Sequence, residues 1–168
     1  MTQTFDIAVI GATGTVGETL VQILEEQDFP VGNLHLLASS ESAGHSVPFR
    51  GKNVRVREVD EFDFSKVQLV FFAAGPAVTL SFAPRATAAG CTLIDLSGAL
   101  PADQAPQVVP EANAQVLDSL KKPFQVSSPS PSATALAVVL APLRALLDIQ
   151  RVSVTANLAV SAQGREAV

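Results

Sequence analysis

Apolar residues along this chain fall into short solid runs separated by segments with helical spacing. Phe5-Asp6-Ile7-Ala8-Val9-Ile10 is the first run, and Leu20, Val21, Ile23 and Leu24 then mark one face of an amphipathic stretch. Residues 34–38 read as a second strand. Residues 47–49 and 54–59 flank Gly51-Lys52-Asn53, which reads as a hairpin turn. Residues 67–73 form a buried strand, 77–89 a helix stopped by Gly90, and 92–96 another buried strand. A proline-rich connection from Pro101 to Pro110 leads to a helical pattern over 112–120 and a short apolar run at 124–126. Residues 132–147 are an Ala/Leu/Val helix, expected to be buried and interrupted only by Pro142. Residues 152–160 are the longest strand candidate and suggest that a new sheet begins there. Alternation of helices with fully apolar strands predicts an α/β fold whose parallel sheet is covered on both faces.

The first strand drops straight into Gly11-Ala12-Thr13-Gly14-Thr15-Val16-Gly17, and a helix opens at once. Strand, glycine turn and helix is the arrangement a dinucleotide pyrophosphate needs. Gly11 permits the tight turn, Gly14 lets backbone N–H groups approach phosphate oxygens, and Gly17 permits close packing of helix on strand. The helix N-terminus adds partial positive charge where the anion sits. The spacing is G-x-x-G-x-x-G, which plain βα turns also show. Cofactor binding and a tight turn without a ligand therefore both stay open from this string alone.

Composition narrows the class. The 168 residues suffice for one ordinary domain, or one domain and the start of another. Hydrophobic residues make up 48% and charged residues 16%, so there is ample core and an expectation that much of the surface is covered. A net charge of −5 argues against a nucleic-acid partner, which calls for a basic stripe. No apolar run approaches the length of a membrane span, and residues 1–20 lack the basic-then-apolar order of an export signal. The single cysteine, Cys91, cannot form an internal disulfide, which suits a reducing cytoplasm. It sits just before a buried strand and reads as a small core residue.

Four strings now stand in order: GATGTVG at 11–17, LASSESAG at 37–44, VVPEAN at 108–113 and AVSAQG at 159–164. Together they resemble the aspartate-β-semialdehyde dehydrogenase family and, within it, the USG-1 homologues that lack the catalytic cysteine. The resemblance implies a Rossmann-type dinucleotide-binding domain over residues 1–130, followed from 131 to 168 by the start of an α+β dimerisation and substrate domain. It also implies that the chain looks truncated, with a general-base histidine and a substrate arginine belonging to an absent half. The family reaction is NADP-dependent, phosphate-dependent oxidation of aspartate semialdehyde through a cysteine thioester.

Matched position by position, the chain departs from the family at three motifs. The nucleophile of catalytic members lies in Asn-Pro-x-Cys at the start of a long helix; here Ser128-Pro129-Ser130-Pro131 stands there, with Pro131 at the cysteine. Ser130 and Ser132 flank it, but an unactivated hydroxyl needs an adjacent base, and His35 and His45 both lie in the nucleotide half. Helix capping by Ser130 or Ser132, with Pro131 in the first turn, is the favoured reading. The family arginine that binds substrate phosphate matches Pro101, which offers neither charge nor donor. The family glutamine matches Leu158. Nucleophile, anchor and polarising amide are absent together, so no catalytic residue is assigned. Glu111 and Asn113, in the Pro-Glu-x-Asn string, read as a structural polar pair.

Cofactor contacts are expected from Gly11, Ala12, Thr13, Gly14, Thr15 and Val16, from Ser39, Glu41 and Ser42 after the second strand, and from Ala73 and Gly75 beside the nicotinamide ribose. NADP-dependent members carry an arginine near the position of Glu41. A carboxylate there repels a 2′-phosphate and accepts from a ribose 2′-hydroxyl, which favours NAD slightly over NADP; a solvated loop glutamate is the other reading. Three functions stay open: an oxidoreductase acting on an aldehyde or acyl phosphate, a dinucleotide-binding protein without that chemistry, and a dimerising or regulatory subunit whose turn is empty. A homodimer is expected on resemblance, and no metal is.

Overall fold

A computed structural model describes residues 3–159. Strand β1 (Phe5–Ile10) runs into helix α1 (Thr15–Glu26) and then strand β2 (Val31–Ala38). A hairpin follows, β3 (Ser46–Phe49) and β4 (Lys52–Glu58), then β5 (Leu69–Phe72), α2 (Pro76–Ala88) and β6 (Thr92–Asp95). Short helix α3 (Pro110–Asn113) continues as a 3₁₀ turn through Ser119, and β7 (Gln125–Ser127) and α4 (Pro131–Leu146) complete the order.

The seven strands lie in the order β3-β4-β2-β1-β5-β6-β7, all parallel except β3. Without the antiparallel edge strand this is the order of the dinucleotide-binding α/β fold. The chain works outward from β1 on one side and then returns to β5 on the other. The crevice beyond the carboxyl ends of β1 and β5 is therefore the topological switch point, where ligands of open α/β sheets bind.

Strand parity explains why residues 7–10 of β1 are all apolar and buried. Ile7 and Val9 face α1, in a core with Val21, Leu24, Leu36, Val56 and Phe71. Ala8 and Ile10 face the other way, with Val70, Phe72, Phe82, Ala86 and Leu93 beneath α2. Each layer removes water from one face, so alternation of polar and apolar residues disappears in the central strands.

Two expectations need correction. The hairpin turn is Arg50-Gly51, with φ of 49° and 72°, and Lys52 and Asn53 already belong to β4. A two-residue loop with both centres left-handed matches the twist of the flanking strands, which a longer turn does not require. Arg50 is held in that conformation by bonds to the carbonyls of Phe29 (2.7 Å) and Val31 (3.4 Å) and by Asp28. Helix α4 packs on α3, and its Val139 and Leu146 are 59% and 81% exposed, with no cover among the described residues. Residues 152–159 form no strand and are exposed; residue 160 lies outside the described residues. Their alternating pattern suits a strand, but a strand needs a ladder partner, and among the described residues none pairs with it.

Candidate functional site

Gly11 ends β1 in the left-handed region, φ 84°, a conformation that side chains disfavour. Its N–H donates to the Leu37 carbonyl (2.8 Å), tying the turn to the end of β2. A Cβ at Gly11 would lie 2.8 Å from the backbone of Ala73 and Ala74. The turn after β1 and the turn after β5 are thus in direct backbone contact, and the Ala73 N–H donates to the Ile10 carbonyl (2.8 Å). Gly17 is buried, and a Cβ there would collide with the Gly11 carbonyl oxygen and sit 2.8 Å from Ala12 Cα. Helix α1 can approach β1 this closely only with glycine at that position.

Gly14 and Gly75 differ from these two. Gly14 is the N-cap of α1, and a Cβ would be 3.4 Å from its nearest protein neighbour, the Gly11 oxygen. Gly75 is the N-cap of α2, and a Cβ would meet nothing within 4 Å among the described residues. Both have extended φ and ψ that any residue adopts, so neither packing nor backbone demands glycine. Neither helix start receives a side-chain cap, although serine, threonine and aspartate cap better. Two helix N-termini with small, uncapped starts therefore stand at the switch point. First-turn N–H groups of a helix have no intrahelical acceptor, and the dipole favours an anion there. These small, uncapped helix starts suit the approach of a dinucleotide pyrophosphate, with Glu18 the one carboxylate in the first turn of α1.

Ser39, Glu41 and Ser42 lie in the turn after β2, where Ser42 and Ala43 donate to the Ser39 carbonyl (3.1 and 2.9 Å). Glu41 is exposed at the tip of that turn. Because β2 adjoins β1, this turn and the glycine turn share one edge of the sheet, as do Ala73 and Gly75 beyond β5. Thr15 and Val16 are exposed on the first turn of α1, while Ala12 is buried and Thr13 half-buried.

At the end of β6 the chain builds a polar knot that sequence reading missed. Asp95 is fully buried, and its carboxylate accepts from Ser97 N–H (2.8 Å), Ser97 Oγ (2.6 Å) and Leu100 N–H (3.0 Å). Thr79 of α2 shares a hydrogen bond with Ser97 Oγ (2.9 Å), and the Asp95 carbonyl accepts from Ser128 N–H (2.8 Å). The signal was available: an aspartate at a strand end with Ser-Gly starting two residues on, Asp95-Leu96-Ser97-Gly98, is the composition of an Asx turn. Ser97 Oγ spends its bonds inside this knot, which fixes the loop carrying Pro101.

Pro131 occupies the first turn of α4, and Ser130 is its N-cap, with Oγ accepting from Ala133 N–H (3.3 Å). Ser130 is thereby committed to the helix. Leu158 is 71% exposed in the irregular segment after α4. Asn113 organises the chain locally, accepting from Val109 N–H (2.7 Å) and donating to the Gln107 carbonyl (2.9 Å). Cys91 is buried, its thiol donating to the carbonyls of Phe64 and Val67 (both 3.3 Å), and burial pushes its pKa up. His35 packs its ring on Phe62, 5.2 Å between centroids, and burial together with the charge of Arg57 lowers its pKa. Among the described residues no cluster of three or more metal-ligating side chains occurs, and no helix is long and apolar enough to cross a membrane. Of the string at 159–164, only residue 159 is described.

Residues 6–120 match the family model described as "Semialdehyde dehydrogenase, NAD binding domain". The chain is 60% identical over 168 residues to a USG-1 protein homolog of Azotobacter vinelandii, covering 100% of this chain and 50% of that one. A solved structure of a probable aspartate-semialdehyde dehydrogenase from Pseudomonas aeruginosa superposes with a TM-score of 0.94 at 53% identity, over 98% of this chain and 49% of that one. Aspartate semialdehyde dehydrogenase II of Vibrio cholerae, solved in complex with ASA, gives 0.92 at 38% identity, over 99% and 50%. The chain spans about half the length of the curated relatives it matches.

Proposed function

The chain belongs to the semialdehyde dehydrogenase family, and from that premise we infer that it binds a nicotinamide dinucleotide at the β1/β5 switch point without carrying out the family's phosphate-dependent oxidation. The observation that carries the binding half is the pair Gly14 and Gly75. Both start helices, and neither is required as glycine by any protein neighbour. A pyrophosphate lying across Gly11, Ala12, Thr13, Gly14, Thr15 and Val16 accounts for the first. The nicotinamide ribose passing Ala73 and Gly75 accounts for the second. Ser39, Glu41 and Ser42 hold the adenosine ribose, and the Glu41 carboxylate favours NAD over NADP by repelling a 2′-phosphate.

A bound nicotinamide supplies hydride acceptance; this chain's residues supply binding and orientation. Pro131, Pro101 and Leu158 offer no thiol, guanidinium or amide at the three matched positions. Ser130 is no substitute nucleophile, since its hydroxyl caps α4 and no histidine stands beside it. The dinucleotide domain is taken as residues 1–130 and a second domain as starting at 131. The exposed apolar face of α4 is assigned to a homodimer contact, cyclic dimers being the common oligomer.

Calorimetric titration of the full chain with NAD and NADP, run beside an assay of phosphate-dependent semialdehyde oxidation, tests the reading. Binding without turnover is expected. Turnover that survives replacement of Ser130 and Ser132 would overturn the second half, and failure of both dinucleotides to bind would overturn the first.

A further inference from the structure

The turn that carries Glu41 ends in Ala43 and Gly44, and these line a cavity of about 400 Å³ whose other walls are Arg55, Val56, Arg57, Glu58 and Glu61. Arg55 and Arg57 are two apart in the extended strand β4, so both side chains leave the same face. Val56 between them is buried in the opposite, α1-side layer. Glu58 shares the parity of Val56, which leaves Glu61 as the carboxylate on the arginine side. Among the described residues the ion pairs within 4.0 Å are Arg50–Asp28 and Lys66–Asp63, so neither Arg55 nor Arg57 is neutralised at contact distance. Both are exposed on the cavity wall. The backbone holds the wall in place, with Gly44 N–H donating to the Val56 carbonyl (3.0 Å) and Val56 N–H to the His45 carbonyl (2.8 Å).

An arginine fork binds a phosphate monoester through two parallel N–H bonds, and two guanidiniums against the single facing carboxylate of Glu61 leave this wall net positive. Register places this wall beside the ribose loop. Arg57 pairs with Leu37 and Glu58 with Ala38, so β4 ends level with the start of the turn at Ser39. We propose that Arg57, assisted by Arg55, is a second determinant of dinucleotide choice, receiving the 2′-phosphate of NADP beside the turn that carries Glu41. Glu41 sets the preference for NAD, and the arginine pair limits how large that preference becomes. The assignment rests on the dinucleotide reading of the glycine turn.

The test is calorimetry on the full chain, wild type against Arg57→Ala, Arg57→Lys and Arg55→Ala, with NAD, NADP, 2′-AMP and inorganic phosphate. Arg57→Ala should widen the NAD-over-NADP affinity ratio about tenfold, the loss of a charge-assisted hydrogen bond, and leave NAD within about twofold. Arg57→Lys should fall between, and Arg55→Ala should give a smaller change of the same sign. Equal weakening of both dinucleotides would make Arg57 merely structural and overturn the proposal. Inorganic phosphate that binds wild type and is lost in Arg57→Ala, with the dinucleotide ratio unchanged, would make this a free-phosphate site and also overturn it. If neither dinucleotide binds wild type, the glycine-turn reading has failed separately. 2′-AMP then decides: binding that Arg57→Ala removes supports the arginine subsite, and no binding overturns it.

Discussion

Alanine substitutions at Gly17 and Gly14 should separate what the fold needs from what a ligand needs. At Gly17 the added Cβ meets only backbone: the Gly11 oxygen in collision, and Ala12 Cα and Gly11 C at 2.8 Å. No rotamer change relieves that, so α1 must lift from β1 and open the layer containing Val9, Val21 and Leu24. Overpacking of this kind costs about 3 kcal/mol, the upper end of its usual range. For a chain of this size that lowers Tm by roughly 6–12 °C. At Gly14 the added Cβ has its nearest neighbour at 3.4 Å, an ordinary contact, and the cost is the poorer helix cap alanine makes, about 1 kcal/mol. Tm should then fall by only about 2–4 °C. Dinucleotide binding should nonetheless drop at least tenfold, about 1.4 kcal/mol, because the methyl stands where the pyrophosphate approaches. Thermal melts followed by circular dichroism, with calorimetric titration of the folded variants, read both quantities. A Gly17→Ala protein as stable as wild type would refute the packing account. A Gly14→Ala protein that binds dinucleotide normally would refute the assignment of Gly14 to a ligand.

Other expectations concern charge and chemistry. Glu41→Ala should raise NADP affinity several-fold with little effect on NAD in the same titration; an unchanged ratio would make Glu41 a solvated loop residue. Pro131→Cys alone should not restore phosphate-dependent semialdehyde oxidation, because Pro101 and Leu158 still lack the anchor and amide; a normal rate in a spectrophotometric NAD(P)H assay would sink that view. His35 has a folded pKa held below its ordinary value of 6.5, first by burial and then by Arg57. The unfolded chain therefore takes up this proton first as pH falls, so the stability the neutral ring contributes is present above the ordinary value and is lost as pH falls through the folded one. His35→Phe, which keeps a ring against Phe62, should shrink the fall in Tm between pH 7.5 and 5; an unchanged acid slope would refute it.

Much of the sheet could be read from apolar runs because two covered faces leave residues 7–10, 36–38 and 69–72 of the central strands without polar positions. The glycine turn was legible for a local reason, the left-handed φ of Gly11 and the packing of Gly17 on Gly11 and Ala12, whereas the contact of Gly11 with Ala73 and Ala74 was not. Elements whose state depends on distant partners were not. The Ala/Leu composition of α4 says that it is apolar but not what covers it, and the alternation at 152–159 says nothing about a ladder partner. The helix expected over 112–120 became a short α-turn and a 3₁₀ turn, where Asn113 spends its side chain on Val109 and Gln107. Arg55 and Arg57 went unnoticed because an alternating Val-Arg-Val-Arg run reads as a solvated strand face. The packing of the Glu41 turn against that strand is what brings the pair beside the ribose loop.

The hairpin at the rim of the sheet has a bearing on how copies of the chain can meet. β3 is four residues long and carries Pro48, which has no N–H to offer a neighbouring strand. At the other rim β7 is three residues long, and Gln107 already bridges to its last residue, Ser127. Short, proline-bearing or covered rims are how sheets avoid growing from one molecule into the next. Association by strand addition is thus discouraged at both rims among the described residues. The proposed homodimer would then have to use side-chain surfaces such as Val139, Leu143 and Leu146 of α4, which stand open to solvent.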